Sequence, residues 1–174
     1  MSRTQNNIRR LVNLSLFSAI ALTIFILEAQ IPSPFVYIPG MKLGLANIVT
    51  LYLLSAYSKK DAFMVLMVRI VLGSVFAGQI PALIYSLAGG IMSFAAMCIC
   101  ISILGKKSLW FVGIVGGVFH NIGQIFAAYI LMQTSAVFSY LPYLVLSGIC
   151  AGLFCGASAL FFVKCMDKLH QNHN

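Results

Sequence analysis

The stretch "ILEAQIPSPFVYIPGMKLGLANIVTL", residues 26–51, decides how this chain is organised. It joins two long apolar runs, and its three prolines prevent it from continuing either run as a helix. We therefore expect residues 31–42 to form a loop that folds as a lid over one mouth of a helical bundle. The loop ends at a single cation, Lys42, and the acid nearest to it along the chain is Glu28.

The composition of the chain is typical of a membrane protein. Of 174 residues, 61% are hydrophobic and only 8% are charged, which lies outside the range of soluble globular domains. Arg9 and Arg10 precede about twenty apolar residues without a small-residue cleavage site, so we expect this run to remain as a helix. The five cysteines show no zinc-type spacing, and we expect neither a metal nor a cofactor.

Six apolar runs are long enough to cross a bilayer, given that a helical span needs about 20 apolar residues. They lie at about residues 11–30, 43–58, 62–80, 83–104, 109–132 and 141–163. The tails and connections between them are short. We therefore predict an all-α membrane protein in which residues 1–174 form a single domain of six transmembrane helices.

The basic residues predict the orientation of these spans. Two cations, Lys42 and Arg69, stand apart from the others, and Arg69 lies near the middle of the third run. The remaining ones all fall on one side of the predicted bundle: Arg3, Arg9, Arg10, Lys59, Lys60, Lys106, Lys107, Lys164 and Lys168. By the positive-inside rule, both termini are cytoplasmic and the protein lies in the cell membrane. The net charge of +8 thus reflects topology, and we expect no nucleic-acid partner.

The fifth run, "GGVFHNIGQIFAAY" at residues 116–129, places three polar side chains near the middle of the membrane. Polar groups without partners are costly in hydrocarbon, so these must face protein, water or a ligand. Two fixed cations against one carboxylate favour an anionic head group, and Glu28 would orient Lys42. The competing interpretation is that these are satisfied core residues. The predicted substrate-binding residues are Glu28, Lys42, Asn47, Arg69, Gln79, His120, Asn121 and Gln124, with Tyr37 and Tyr85 as apolar wall.

Small residues recur at helical spacing in three of the runs. In the first run, Ser15, Ala19 and Thr23 lie four residues apart and form either a docking groove for a partner helix or an internal packing face. Glycines at the same spacing in the fifth and sixth runs predict close internal packing, and these are Gly113, Gly117, Gly148, Gly152 and Gly156.

Known catalytic motifs are missing from the sequence. It contains no ATP-binding P-loop, no nucleophile elbow, no metal-binding His-Glu helix and no aspartate-rich pair of motifs for magnesium diphosphate. Only three acidic residues occur in the whole chain. We therefore expect a protein that is not an enzyme and that does not itself use nucleotide energy.

Glu28, the following "IPSPFVYIPGMKLGLANIVTL" at 31–51 and "HNIGQ" at 120–124 resemble the family labelled heptaprenyl diphosphate synthase component I, also called the Gx transporter family. That family is similar to the S components of energy-coupling factor (ECF) transporters, six-helix proteins that capture vitamins or related compounds from outside. The resemblance implies a bacterial substrate-binding subunit with three partners, which are a transmembrane coupling subunit and two cytoplasmic ATPases. S components dock through an A-x-x-x-A face on helix one, which corresponds here to Ser15, Ala19 and Thr23.

The resemblance also implies a substrate class, a small amphipathic anion that is vitamin-like or a quinone or isoprenoid precursor such as a naphthoate. Three other functions stay open at this point. The chain could be the membrane subunit of a heptaprenyl or other polyprenyl diphosphate synthase, with Lys42 and Arg69 holding diphosphate. It could be an autonomous small-molecule carrier in which Glu28 and His120 relay protons. A structural scaffold would bind no ligand and would tolerate apolar residues at His120 and Gln124.

Overall fold

The computed structural model of the chain describes residues 3–30, 42–78 and 80–171. Within these ranges all regular secondary structure is helical, with six α-helices, two short 3-10 helices and no strand. The α-helices are α1 (Arg3–Gln30), α2 (Asn47–Ala56), α3 (Lys59–Ala77), α4 (Ile80–Leu104), α5 (Leu109–Met132) and α6 (Leu141–Gln171). The 3-10 helices are Lys106–Ser108 before α5 and Ser135–Tyr140 before α6.

Among the described residues, four helical segments are long and apolar enough to cross a membrane. They are α1, α4, α5 and the segment Ser135–Met166, which combines the second 3-10 helix with most of α6. The 19 residues of α3 span about 28 Å, but this helix contains three charged residues in its first turn and Arg69 further along. The predicted all-α fold is confirmed, and four of its described helical segments have the dimensions of membrane spans.

The second predicted span differs most from the structure. A helix was expected over residues 43–58, but α2 has only 10 residues, about 15 Å, which is half of a bilayer's hydrocarbon thickness. Gly44 has a φ of +83°, a value outside the helical region, and the chain is therefore non-helical from Lys42 to Gly44 and turns at Leu45 and Ala46. We call residues 42–46 the entry segment.

The ends of the other helices also differ from the expected bounds. α1 begins at Arg3 rather than near residue 11, and α6 continues to Gln171 rather than ending near 163. α3 begins at a capping box, in which the side chains of Ser58 and Asp61 each accept a bond from the other residue's backbone N–H. It ends at Gly78, whose φ of +63° lets its N–H bond to the carbonyls of the last turn.

The most extensive helix contact is between α5 and α6, and glycines allow the two backbones to approach closely. A Cβ atom placed on Gly113 or Gly117 would collide with the carbonyl oxygens of Gly152 and Gly148, respectively. Gly156 in turn lies against the backbone of α5 at Trp110. The glycine stripes therefore pack against each other inside the bundle, as their spacing predicted.

Two apolar clusters form the core, and polar residues lie between them along α4 and α5. One cluster includes Leu51, Leu53 and Leu109, which are fully buried. The other is built around Tyr85, Ile125 and Leu144. On α5, His120, Asn121 and Gln124 follow the first cluster and precede the second, and all three are buried. The apolar packing thus encloses a polar layer.

Charged contacts bring the start of α1, the start of α3 and the end of α4 to one end of the bundle, which we call the basic end. Arg10 donates two hydrogen bonds of 2.6 and 2.8 Å from Nη2 to the Asp61 carboxylate, and Nε adds a third. Lys59 Nζ donates to Ser102 Oγ on α4 at 2.9 Å. Burial opposes ionisation of Asp61, but hydrogen bonds from Arg10 and Ser58 outweigh it and hold the pKa of its carboxyl below the ordinary 3.8.

Candidate ligand site

The entry segment lies inside the bundle, where side chains from other helices bind its backbone. Glu28 on α1 accepts a hydrogen bond of 2.5 Å from the Gly44 N–H through Oε1. Non-helical backbone at membrane depth is tolerated only where protein or water satisfies its polar groups. Glu28 therefore binds the backbone two residues after Lys42, rather than hydrogen-bonding the Lys42 ammonium as expected.

Gln124 on α5 holds the beginning of the entry segment with two bonds. Its Oε1 accepts from the Lys42 N–H at 2.9 Å, and its Nε2 donates to the Lys42 carbonyl at 2.7 Å. Cys155 on α6 approaches the same segment, with Sγ 3.5 Å from the Leu45 carbonyl oxygen. The Gln124 amide thus replaces the backbone partners that Lys42 would have in a helix.

Three basic side chains converge next to this segment and have nitrogen atoms without hydrogen-bond partners. These atoms are Lys42 Nζ, Arg69 Nε and His120 Nδ1, and all three are buried. Arg69 is 3% exposed and His120 is 4% exposed, so bulk water does not replace the missing partners. Buried donors are normally paired in native proteins, and unpaired ones at one place indicate a site for a bound group.

The remaining contacts of the cations fix where they lie. Lys42 Nζ is 3.3 Å from the centroid of the Phe25 ring, a cation–π contact with α1. Arg69 Nη2 donates to Asn47 Oδ1 at 3.4 Å, and Asn47 Nδ2 reaches Ser93 Oγ on α4 at the same distance. Asn47 therefore connects the Arg69 guanidinium to the start of α2 and to α4.

A small cavity of about 10 Å³ lies among these side chains. That volume is about the room that one water molecule or one oxygen atom of a ligand occupies. Its lining comes from α1, the entry segment, α3, α4 and α5, and consists of Phe25, Glu28, Lys42, Gly44, Ala46, Arg69, Ser86 and His120. We call Glu28, Lys42, Arg69 and His120 the charged cluster.

Electrostatics favour an anion in this cavity. The charged cluster contains two fixed cations and one carboxylate, and no oxygen of Glu28 hydrogen-bonds Lys42 Nζ or Arg69 Nε. A buried charge is costly unless it is paired, and separating a cation from its counter-charge leaves that cost uncompensated. A negatively charged group among Lys42, Arg69 and His120 would pair the cations. Among the described residues, no three His, Cys, Asp or Glu side chains lie close enough to hold a metal ion.

The structure brings together most of the predicted site residues, but not all of them. Asn121 faces α6 instead, where Nδ2 donates to the Leu144 carbonyl at 2.6 Å and to Ser147 Oγ at 3.2 Å. Tyr85 is buried in the second apolar cluster and does not line the cavity. Tyr37, Gln79 and residues 31–41 of the lid expected over 31–42 lie outside the described residues.

Four cavity residues were missed in the sequence, and they are Phe25, Gly44, Ala46 and Ser86. Phe25 lies three residues before Glu28, so the two share one face of α1, and this spacing could have pointed to it. Ser86 lines the cavity from α4 and Gly44 from the entry segment. A serine within an apolar run and a glycine in a loop are too common to have singled out either residue. Only the packing of the helices reveals them.

The small-residue stripe on α1 lies on an open face of the helix. Ser15, Ala19 and Thr23 are all exposed, and α1 packs mainly against α3 through its other side. The Thr23 hydroxyl donates to the Ala19 carbonyl at 2.9 Å, so it is satisfied within its own helix. In the described residues, this stripe therefore does not serve the internal packing that was the alternative to docking.

The comparison with protein families matches residues 17–162 to the model described as heptaprenyl diphosphate synthase component I. The chain belongs to this family. The match begins within α1 and ends within α6, so every residue of the charged cluster lies inside the matched region. Comparison with curated proteins gives no match, and comparison with solved structures gives none either.

Proposed function

We propose that this chain is the substrate-binding S component of an ECF-type importer and captures a small amphipathic anion from outside the cell. The observation that carries the proposal is the group of buried, unpaired nitrogen atoms of Lys42, Arg69 and His120 around one cavity. Such an arrangement is costly for a scaffold, whereas a bound anion would satisfy it. Vitamin-like compounds and quinone or isoprenoid precursors with one acidic group are the matching substrates.

The proposed location is the bacterial cell membrane, with both termini in the cytoplasm. In its support, the Arg10–Asp61 and Lys59–Ser102 contacts gather basic segments at one end of the bundle. The positive-inside rule assigns such an end to the cytoplasm. The charged cluster would then lie toward the outer half of the membrane, where a ligand enters.

The proposed partners are a transmembrane coupling subunit, which contacts Ser15, Ala19 and Thr23, and two cytoplasmic ATPases. Small side chains let a second helix approach closely, and the exposed stripe leaves room for one. Energy for uptake would come from the ATPases, since this chain has no nucleotide-binding motif. The chain itself is proposed to catalyse no reaction.

Co-purification in mild detergent tests this function. Tagged protein from native membranes should retain one membrane subunit and two ATPases, identified by mass spectrometry. Ala19→Leu should abolish their recovery, because the larger side chain blocks close helix approach. Ala95→Leu, an exposed alanine on α4, is the matched control and should retain them. Recovery that is equal in both variants, or the absence of ATPases from the wild-type sample, would contradict the proposal.

The description of the family favours a second candidate, a membrane subunit of a prenyl diphosphate synthase. In that case Lys42 and Arg69 would hold a diphosphate. This candidate expects a soluble prenyl synthase to co-purify and prenyl product to form only when both proteins are present. Uptake by the purified chain in liposomes without ATP would instead indicate an autonomous carrier.

A further inference from the structure

The charged cluster has a composition that restricts which anion it can hold. Lys42 and Arg69 are the two permanently basic side chains of the lining, Glu28 is its carboxylate and His120 is its imidazole. With Lys42, Arg69 and Glu28 ionised, one negative charge balances the cavity. A diphosphate would bring several negative charges next to the Glu28 carboxylate, and like charges in a buried site repel strongly.

The free edge of Arg69 restricts the geometry of the ligand. Its Nε–H has no partner, and the Nη2 group on the same side makes only a long bond of 3.4 Å to Asn47. These two N–H groups point in nearly the same direction, as the two oxygens of a carboxylate require for paired hydrogen bonds. Lys42 Nζ and His120 Nδ1 also line the cavity and can contact the same head group.

The described cavity accepts only the tip of a head group. Its volume of about 10 Å³ is room for one oxygen atom, so a carboxylate and a diphosphate would each require the lining to move apart. Volume therefore does not distinguish the two anions, whereas charge and edge geometry do. The Phe25 side chain belongs to the lining and lies beside the Lys42 ammonium.

From charge and edge geometry together, we infer that the charged cluster recognises a singly charged carboxylate on an apolar body and rejects diphosphates. This inference rests on the proposed function as an anion-capturing subunit and names the chemical class of its ligand. Arg69 binds the carboxylate through its Nε edge, and Lys42 supplies the second positive charge.

The test uses purified protein in detergent at constant chloride concentration, with four probes: benzoate, benzyl alcohol, benzamide and inorganic diphosphate. Benzoate should raise the unfolding midpoint in a saturable way, because a ligand that binds only the folded state stabilises it. The alcohol and the amide have the same ring without the charge and should give no saturable shift. Diphosphate should give none either.

Variants then locate the binding. Arg69→Gln should raise the benzoate Kd at least about thirtyfold, the factor expected when one partner of a buried charged pair is removed. Arg69→Lys keeps the positive charge but removes the paired Nε and Nη2 N–H groups, and it should also weaken binding. Lys42→Gln is the second site variant and decides the question if Arg69 variants do not fold. Lys106→Gln removes an exposed cation from the basic end and should leave the Kd unchanged.

Several results would overturn the inference. They are tighter binding of diphosphate than of benzoate, equal shifts from benzoate and benzyl alcohol, a shift produced by chloride alone, and no saturable effect of benzoate. Co-purification separates this inference from the proposed function. Recovery of the ATPases without carboxylate binding would refute the ligand class alone, whereas carboxylate binding without the ATPases would refute the importer and retain the site.

Discussion

Replacing Gln124 by leucine tests whether this side chain holds the entry segment in place. The substitution keeps a side chain of similar size but removes both the acceptor for the Lys42 N–H and the donor for the Lys42 carbonyl. Because the segment is not helical at this point, neither backbone group has a helical partner to return to. We expect the segment to open more often in this variant than in the wild type.

The expected magnitude follows from the two lost bonds. Each buried polar group left without a partner costs about 1–3 kcal/mol, so two groups cost about 2–6 kcal/mol. The bonds to Lys42 are only partly buried, and we therefore expect the lower end, about 2 kcal/mol. A difference of this size corresponds to a roughly thirtyfold larger open population.

Alkylation of cysteines measures this opening directly. The Cys155 thiol is buried and lies against the Leu45 carbonyl, so it becomes accessible when the segment moves away. Cys100 is also buried but belongs to the first apolar cluster, and it serves as an internal control. With N-ethylmaleimide and peptide mass spectrometry, Gln124→Leu should accelerate labelling of Cys155 about thirtyfold and that of Cys100 much less.

Two outcomes would refute this reasoning. Unchanged labelling of Cys155 would show that the Gln124 bonds do not hold the segment. Equal acceleration at Cys155 and Cys100 would show that the substitution destabilises the whole bundle rather than one segment. Gln30→Leu, which replaces an exposed glutamine at the end of α1, should leave both rates as in the wild type.

Two further predictions concern stability in detergent. Gly44→Ala should lower the unfolding midpoint more than Gly78→Ala. Both glycines have positive φ, but only a Cβ at Gly44 would meet His120, and this collision should add about 1–3 kcal/mol to the destabilisation. Equal effects in the two variants would contradict this. The pKa of the Asp61 carboxyl in the folded protein lies below its ordinary value of 3.8. The stabilisation that ionised Asp61 gives the folded state is therefore complete above pH 3.8, and it is lost as the pH falls through the lower pKa of the folded protein. Arg10→Gln should reduce this acid-dependent loss, by at most about 1 kcal/mol because Arg10 is half exposed. An unchanged pH profile would refute that role.

Helix number and class follow from periodicity and composition, because burying a chain with so few charges requires long apolar helices. The short α2 could not be foreseen in the same way. Residues 43–58 are largely apolar apart from Asn47, Thr50, Ser55 and Ser58, and nothing local shows that Gly44 adopts a positive φ. That conformation exists because Glu28, Gln124 and Cys155 bind the backbone there, and these residues are distant along the chain.

For the candidate site, too, one part could be predicted from the sequence and another part depends on helix packing. Polar residues in apolar runs are conspicuous in the sequence, and Lys42, Arg69 and His120 were recognised by that signal alone. Which of the polar residues bind the protein and which keep free atoms depends on packing. Gln124 and Glu28 satisfy backbone groups. Asn121 binds α6 through Nδ2 and leaves its Oδ1 unpaired there, whereas the three basic residues have their unpaired nitrogen atoms next to the entry segment.

The amino-acid sequence by itself determined that this chain forms apolar helices with a polar layer, since hydrophobic burial and the cost of isolated charges act on every such chain. Only the tertiary structure decided how the polar atoms are shared among partners. A hydrogen bond requires two groups within about 3 Å in the right direction, and that geometry arises only when the helices have packed. The unpaired atoms at one cavity, on which the proposed function depends, are a product of that packing.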